Sequence, residues 1–312
     1  MQFVNPHTGW IVGPRLLLTV DGGKTWKVIH ADGAGTVRSK VLTTIDRHFT
    51  QFVDPQTGWM DGGDMMYRTR DGGLTWSETV PTPVGDQHLY RCFFFLTPDE
   101  GWVVSDFTYH TTDGGRSWKR LYETRQYADS YPLIRFLSSK VGFMLLTRHG
   151  GVYRTGNGGE TWEQVLGEYP FAQDLFFLDE RSGWVVGDNF IAHTSDGGQT
   201  WAHAQTPIAN SLNDVFFTDE RNGCAVGHEA TILCTKDGGA TWAKAAVNGL
   251  RDYQAPLLSV AFTDKLHGWA VGGNGAGDDI SFSPSLSSYA PSNIVLNTDD
   301  GGQTWKAMRL VD

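Results

Sequence analysis

Seven acid or amide side chains head the same short phrase along this chain: Asp21, Asp71, Asp113, Asn157, Asp196, Asp237 and Asp300. Two glycines follow each one, and a tryptophan stands five residues after it, at Trp26, Trp76, Trp118, Trp162, Trp201, Trp242 and Trp305. A carboxylate repeated in this way could ligate calcium or act as a general acid or nucleophile. Calcium needs several oxygen ligands converging from alternating loop positions, and each phrase offers one acid followed by glycines. An Asx turn uses the same residues differently. The side-chain oxygen accepts from nearby backbone N–H groups while glycine takes the positive φ that the turn requires. Asn157 can make that turn without a charge, so the seven are read as turn locks and not as ligands.

The remaining candidates lie outside this phrase. Asp278 and Asp279 form an acid pair in a glycine-rich stretch and are read as a solvated polar loop. The ten histidines are scattered, with no Ser or Cys and carboxylate in a recognisable order. There is no Cys-x-x-Cys or His-x-x-x-His spacing for zinc and no Gly-x-Ser-x-Gly elbow. Glycoside hydrolysis needs two carboxylates facing one cleft. Asp174 and Asp214, at matching positions on the innermost strands of adjacent units, are the pair to test, and solvated channel lining is the expected reading. A basic and aromatic group fits a binding surface better. Arg116, Lys119, Arg120, Arg125, Arg135, Arg148 and Arg154 interleave with Tyr122, Tyr127, Tyr131 and Tyr153, residue types enriched at protein interfaces.

Bulk properties narrow the function classes. A net charge of −10 argues against generic nucleic-acid binding. The charge is uneven: residues 1–155 carry 17 Lys/Arg against 15 Asp/Glu, and residues 156–312 carry 8 against 20. No run approaches the ~18 apolar residues of a membrane span. Met1-Gln-Phe-Val-Asn-Pro lacks the basic and apolar regions of a signal peptide. Of the three cysteines, Cys224 and Cys234 could face each other across a hairpin and bridge, but two buried free thiols are the expectation.

Two further markers hold the register. A glycine followed by an aromatic precedes each turn phrase at Gly9-Trp10, Gly58-Trp59, Gly101-Trp102, Gly142-Phe143, Gly183-Trp184 and Gly268-Trp269, with Gly223-Cys224 in the sixth unit. Six residues before each of these glycines stands a phenylalanine: Phe3, Phe52, Phe95, Phe136, Phe177, Phe217 and Phe262. Each unit then reads as four short strands separated by turn clusters, with no amphipathic helical period. Turn spacings of 50, 42, 44, 39, 41 and 63 residues are those of propeller blades. The expected fold is all-β: a seven-bladed β-propeller of four-stranded antiparallel blades, each with an Asp-box turn. The blades fall at about 1–30, 48–80, 89–122, 132–166, 172–205, 212–246 and 257–310. Three irregularities are expected: a truncated first strand with imperfect ring closure, a long link from His30 to Arg47, and a Gly/Ser/Pro-rich insert over residues 272–293 in blade 7.

Asp-box repeats resemble those of bacterial neuraminidases, which have six blades, an arginine triad and a Tyr–Glu nucleophile pair. Here there are seven units, and Arg15 in Gly-Pro-Arg-Leu does not match, so a sialidase-like or other glycosidase stands only as the alternative. Phe-x-Asp-x-x-x-Gly-Trp-x-Val-Gly followed by Thr-x-Asp-Gly-Gly-x-Thr-Trp, seven times over residues 2–310, resembles the photosystem II stability/assembly factor family. That resemblance implies a seven-bladed propeller acting as a non-enzymatic, extracytoplasmic chaperone that binds a protein partner such as a membrane-complex subunit. It implies no catalytic residue, cofactor, metal or nucleic acid, and a monomer. For partner contact the sequence offers Arg116, Arg120, Arg125, Tyr127, Arg135, Arg148 and Arg154.

Overall fold

The computed structural model describes residues 1–12, 16–29, 50–61, 66–79, 92–124, 132–147, 151–167, 171–204, 206–207, 209–250, 255–273 and 293–308. Alternating apolar residues and glycine-punctuated turns make every element of this part a strand, and no helix occurs among the described residues. The strands form seven sheets, each holding four consecutive strands paired antiparallel in sequence order, which is a seven-bladed β-propeller. Blade 3 is typical. Cys92–Phe95 pairs with Gly101–Val104, that strand with Phe107–Thr111, and the last with Lys119–Glu123.

By internal contacts the chain divides into two units, one holding blades 1, 5, 6 and 7 and the other blades 2, 3 and 4. Within each unit the hydrophobic core lies between successive blades. In the second unit, Trp102 and Val104 of blade 3 join Ile134, Phe136, Met144 and Leu146 of blade 4. In the first, Trp184 and Val186 of blade 5 join Val215, Phe217 and Leu233 of blade 6.

The three-point register has a single physical cause. The phenylalanine of each first strand lies across the neighbouring Gly of the second strand, so that a Cβ at Gly142 would sit 2.6 Å from the Phe136 ring. Only glycine leaves that ring room. The exposed ring face then takes the Trp of the preceding blade: Trp59 stacks on Phe95 and Trp102 on Phe136 at 3.6 Å, and Trp184 on Phe217 at 3.5 Å. The ring edge takes the turn Trp of its own blade, from 5.8 Å for Phe262–Trp305 to 6.2 Å for Phe177–Trp201. Offset and edge-on pairs of this kind add stability beyond their area.

The Asp-box turns are locked as their composition requires. In all seven the strand Thr donates its hydroxyl to the turn Asp or Asn at 2.8–2.9 Å, as Thr111 does to Asp113. Asp113 also accepts from the backbone N–H groups of Arg116 and Ser117 and from the Ser117 hydroxyl. The first glycine of each box donates to a carbonyl in the turn between strands one and two, tying both turns together. A second Asx or hydroxyl turn sits there, with Asp54 accepting from Gln56 and Thr57 and Asp179 from Arg181 and Ser182.

These locks predict acid sensitivity. Hydroxyl hydrogen bonds from Thr25, Ser117 and Thr241 hold Asp21, Asp113 and Asp237 at about 2, against an ordinary 3.8. At Asp300, burial works against the charge, but the Thr304 hydroxyl and N–H overcome it and again hold it at about 2. A lowered folded-state value means the contribution is present above the unfolded value and lost as protons bind. Urea midpoints should therefore fall as pH drops from about 4 to about 2. Replacing Asp113, Asp237 and Asp300 together by Asn should flatten that fall, because Asn157 keeps the turn with its oxygen on the Thr161 N–H and its amide on the Thr161 hydroxyl. An unchanged acid slope in the triple variant would assign the sensitivity to other groups.

Two features depart from the sequence reading, the cysteine pair and the edge of blade 7, while the truncated first strand of blade 1 agrees with it. Cys224 and Cys234, expected as free thiols, are joined in a disulfide. They are directly opposed on neighbouring antiparallel strands, which brings their Cα atoms to 4.1 Å, within bridging reach. Cys92 is the buried free thiol. Blade 7 gains a fifth strand, Ala246–Asn248, which runs parallel to Thr304–Ala307. Only Ala245 separates it from Ala243–Lys244, the fourth strand of blade 6, so the chain passes from the edge of one sheet to the edge of the next without a turn. Blade 1 begins with the two-residue strand Gln2–Phe3, and Phe3 meets Trp269 of blade 7 tilted by 34° at 4.8 Å, not in a flat stack. The His30–Arg47 link and residues 274–292 of the blade 7 insert lie outside the described residues.

Candidate functional site

Arg116, Arg120, Arg135 and Arg154 fall on four different elements of blades 3 and 4. Arg116 is exposed in the blade 3 Asp box, with its backbone N–H on Asp113. Arg120 is exposed on the fourth strand of blade 3, its guanidinium 4.4 Å from the Phe107 ring centroid. Lys119, one residue earlier and so on the other face of the strand, reaches Glu160 of blade 4 at 3.0 Å. Arg135 is exposed on the first strand of blade 4, 5.9 Å over Phe94 of blade 3. Arg154 is half-buried on the third strand of blade 4 against Phe143. Arg120 and Arg135 therefore lie at opposite edges of their sheets. Arg125, Tyr127, Tyr131 and Arg148 lie outside the described residues, as do Asp278 and Asp279.

An exposed guanidinium over an aromatic ring is pre-positioned for a carboxylate. Ring and cation attract, and the planar fork keeps its donors facing outward. Arg120 and Arg135 have that arrangement. The chemistry available at them is recognition of acidic or C-terminal groups on a partner.

The carboxylates weighed for hydrolysis have another occupation. Asp174 is buried, and its Oδ2 accepts from the Val215 N–H of the next blade at 3.2 Å. Asp214 accepts from Val260 N–H of the blade after at 2.8 Å and from Val215 N–H at 2.9 Å. Asn213 donates to Leu257 O, and in the other unit Gln51 exchanges two hydrogen bonds with the backbone of Phe95. These side chains latch one blade's first strand to the next. The reading as solvated lining is thus corrected for Asp174, which is buried against a neighbour's backbone, while Asp214 makes the same latch and stays half-exposed. No group of three or more His, Cys, Asp or Glu side chains converges as a metal site among the described residues.

Sequence reasoning also missed which residues stand directly across from the second-strand aromatics, although it had singled out Arg154 for another reason. Arg68 faces Trp59, His110 faces Trp102, Arg154 faces Phe143 and His193 faces Trp184. Counting outward from the hairpin turn would have found them. His110 stacks on Trp102 at 4.7 Å and bonds Glu100 at 3.1 Å. Arg68 is buried, donating to Gly114 O at 3.1 Å and Pro98 O at 3.0 Å of blade 3.

Seven four-stranded blades closed by Asp boxes define a BNR-type β-propeller, with exposed arginines on its blades and latched carboxylates between them. Within that class, the chain belongs to the photosynthesis system II assembly factor YCF48 family, whose model matches residues 39–169 and 200–276. It is 29% identical over 250 residues to the photosystem II assembly lipoprotein Ycf48 of Synechococcus sp. (strain CC9902), covering 78% of this chain and 68% of that one. It is 22% identical over 273 residues to the chloroplastic photosystem II stability/assembly factor HCF136 of Arabidopsis thaliana, covering 79% and 63%. Among solved structures, YCF48 bound to a D1 peptide superposes with a TM-score of 0.63 at 24% identity, covering 83% and 79%. That last likeness shows the fold.

Proposed function

We propose that this protein is a non-enzymatic scaffold that binds a protein partner during assembly of a membrane complex of the photosystem II kind. Family membership over well over half of the chain carries the reading. Two things on the molecule support it. The first-strand carboxylates are engaged between blades, and arginines are held outward over rings on blades 3 and 4. The structural neighbour bound to a D1 peptide supports a peptide segment of a membrane-complex subunit as the partner class, and the exposed Arg116, Arg120 and Arg135 suit one that carries carboxylates. An extracytoplasmic site of action agrees with relatives named as lipoproteins and with a disulfide, which persists in oxidising compartments.

Fluorescence anisotropy with a labelled D1-derived peptide tests this. Saturable binding is expected to weaken with salt and to fall at least about tenfold in Arg120→Glu or Arg135→Glu, a loss of about 1.4 kcal/mol. Because these two arginines lie at opposite sheet edges, whichever variant loses affinity locates the contact. Wild-type binding that neither substitution alters would remove the arginines from the interface. Turnover of aryl glycosides abolished by Asp214→Ala would overturn the scaffold itself.

A further inference from the structure

At the second position of the second strand, blades 2, 3 and 5 place an indole that closes the contact with the next blade. Each of these indoles stacks on that blade's phenylalanine, and those of blades 5 and 7 also lie against the second glycine of the Asp box they meet. A Cβ at Gly239 would sit 2.9 Å from Trp184 Nε1, and one at Gly23 would sit 2.5 Å from Trp269 of blade 7. Blade 6 has Cys224 at this position, and a lone cysteine is far too small for the slot. Its cross-strand partner is Cys234, at the place of His193 in blade 5 and Asn297 in blade 7. A Cβ at Gly302 of blade 7 would lie 2.5 Å from Cys224 Sγ and 2.7 Å from Cys234 Sγ. The sulfur pair thus occupies the indole's seat against the blade 7 Asp box, within the cluster of Val226, Ile232, Phe262 and Trp305.

We propose that the Cys224–Cys234 disulfide, formed within blade 6, is a redox-dependent clasp on blade 7, its joined sulfurs packing where an aromatic closes the equivalent contacts. Joined, the sulfurs are one body fixed over Gly302. Reduced, they are two small side chains, each free to rotate, in a slot shaped for an indole. Cys224 is buried and Cys234 half-buried, so exchange begins at the Cys234 sulfur. To form the clasp, a thiolate of the pair attacks an exogenous disulfide, such as oxidised glutathione or a dithiol oxidase, and gives a mixed disulfide. The second thiolate displaces the carrier. One S–S bond forms, one breaks, and the two protons leave to the carrier's sulfurs. Compartment poise then sets the strength of one inter-blade contact, which partner binding alone does not require.

Differential scanning calorimetry of the full chain with and without dithiothreitol tests the clasp, alongside alkylation and mass spectrometry to count thiols at 224 and 234. Reduction is expected to lower Tm by roughly 4 °C or more, given the loop closed and the size of the chain. Cys224→Ala with Cys234→Ala should melt at the reduced value in either condition. Cys224→Trp with Cys234→His, which rebuilds the blade 5 pair, should recover the oxidised Tm and ignore reductant. Complete reduction with no change in wild-type Tm would overturn the proposal. So would free thiols at both positions after treatment with oxidised glutathione.

Discussion

Trp102→Ala is expected to lower the unfolding free energy by about 4 kcal/mol, among the largest effects of any single change on this chain. Trp102 is fully buried and does three things at once. Its ring stacks on Phe136 of the next blade at 3.6 Å, its other face meets His110 at 4.7 Å, and its Nε1 donates to Gly158 O at 2.8 Å. Truncation leaves an indole-sized void beside Phe136, which cannot shift to fill it because its ring already lies against Gly142 of its own blade. It also strands the Gly158 carbonyl in a dry site. Trp102→Phe keeps a ring on Phe136 and removes mainly the hydrogen bond, so it should cost roughly 1–2 kcal/mol. Equilibrium urea unfolding followed by far-ultraviolet circular dichroism measures both. An alanine variant within about 1 kcal/mol of wild type would mean the blades close over the gap, against the rigid-packing account.

The fold was legible because its determinants are local and repeated. Phe136, Gly142, Trp102 and Asp113 each stand for a contact made in blade after blade, and a sevenfold register exposes what one copy would hide. The exceptions follow from the same physics. Cys224 broke the Gly-Trp rule, and reading it alone gave a small thiol. Its meaning depended on Cys234 directly across the hairpin, and on a slot whose size only the other tryptophans reveal. Asp174 and Asp214 could be placed on first strands from the sequence, but not the N–H groups of Val215 and Val260 that donate to them, since those belong to the next blade in each case. The arginines illustrate the converse. Arg120 and Arg135 are near in sequence, yet the blade 3 sheet puts three strands between their edges. Proximity in sequence does not make a surface when every ten residues cross to another strand.

Gly114→Ala is the second change expected to be severe, at roughly 3–4 kcal/mol, and Arg68 is the reason. Gly114 is the first glycine of the blade 3 box, with φ of +74°. An alanine there meets the left-handed penalty, and its Cβ lies 2.9 Å from Pro98 O. Those two burdens are shared by Gly158 in blade 4, at φ +76° and 2.8 Å from Ser139 O. Gly114 alone also has the Arg68 guanidinium on top of it, where the new methyl would fall on Nη1. Arg68 is buried, burial pulls its pKa below the usual arginine range, and its Nη groups are held by the carbonyls of Gly114 and Pro98. Displacing it leaves a buried cation without those acceptors, which costs more than removing the cation altogether. Gly114→Ala should therefore be worse than Gly158→Ala by about 1–2 kcal/mol, and Arg68→Met should bring the two alanine variants level. Should Gly114→Ala and Gly158→Ala unfold at the same urea concentration in the presence of Arg68, the guanidinium is not what makes this glycine indispensable.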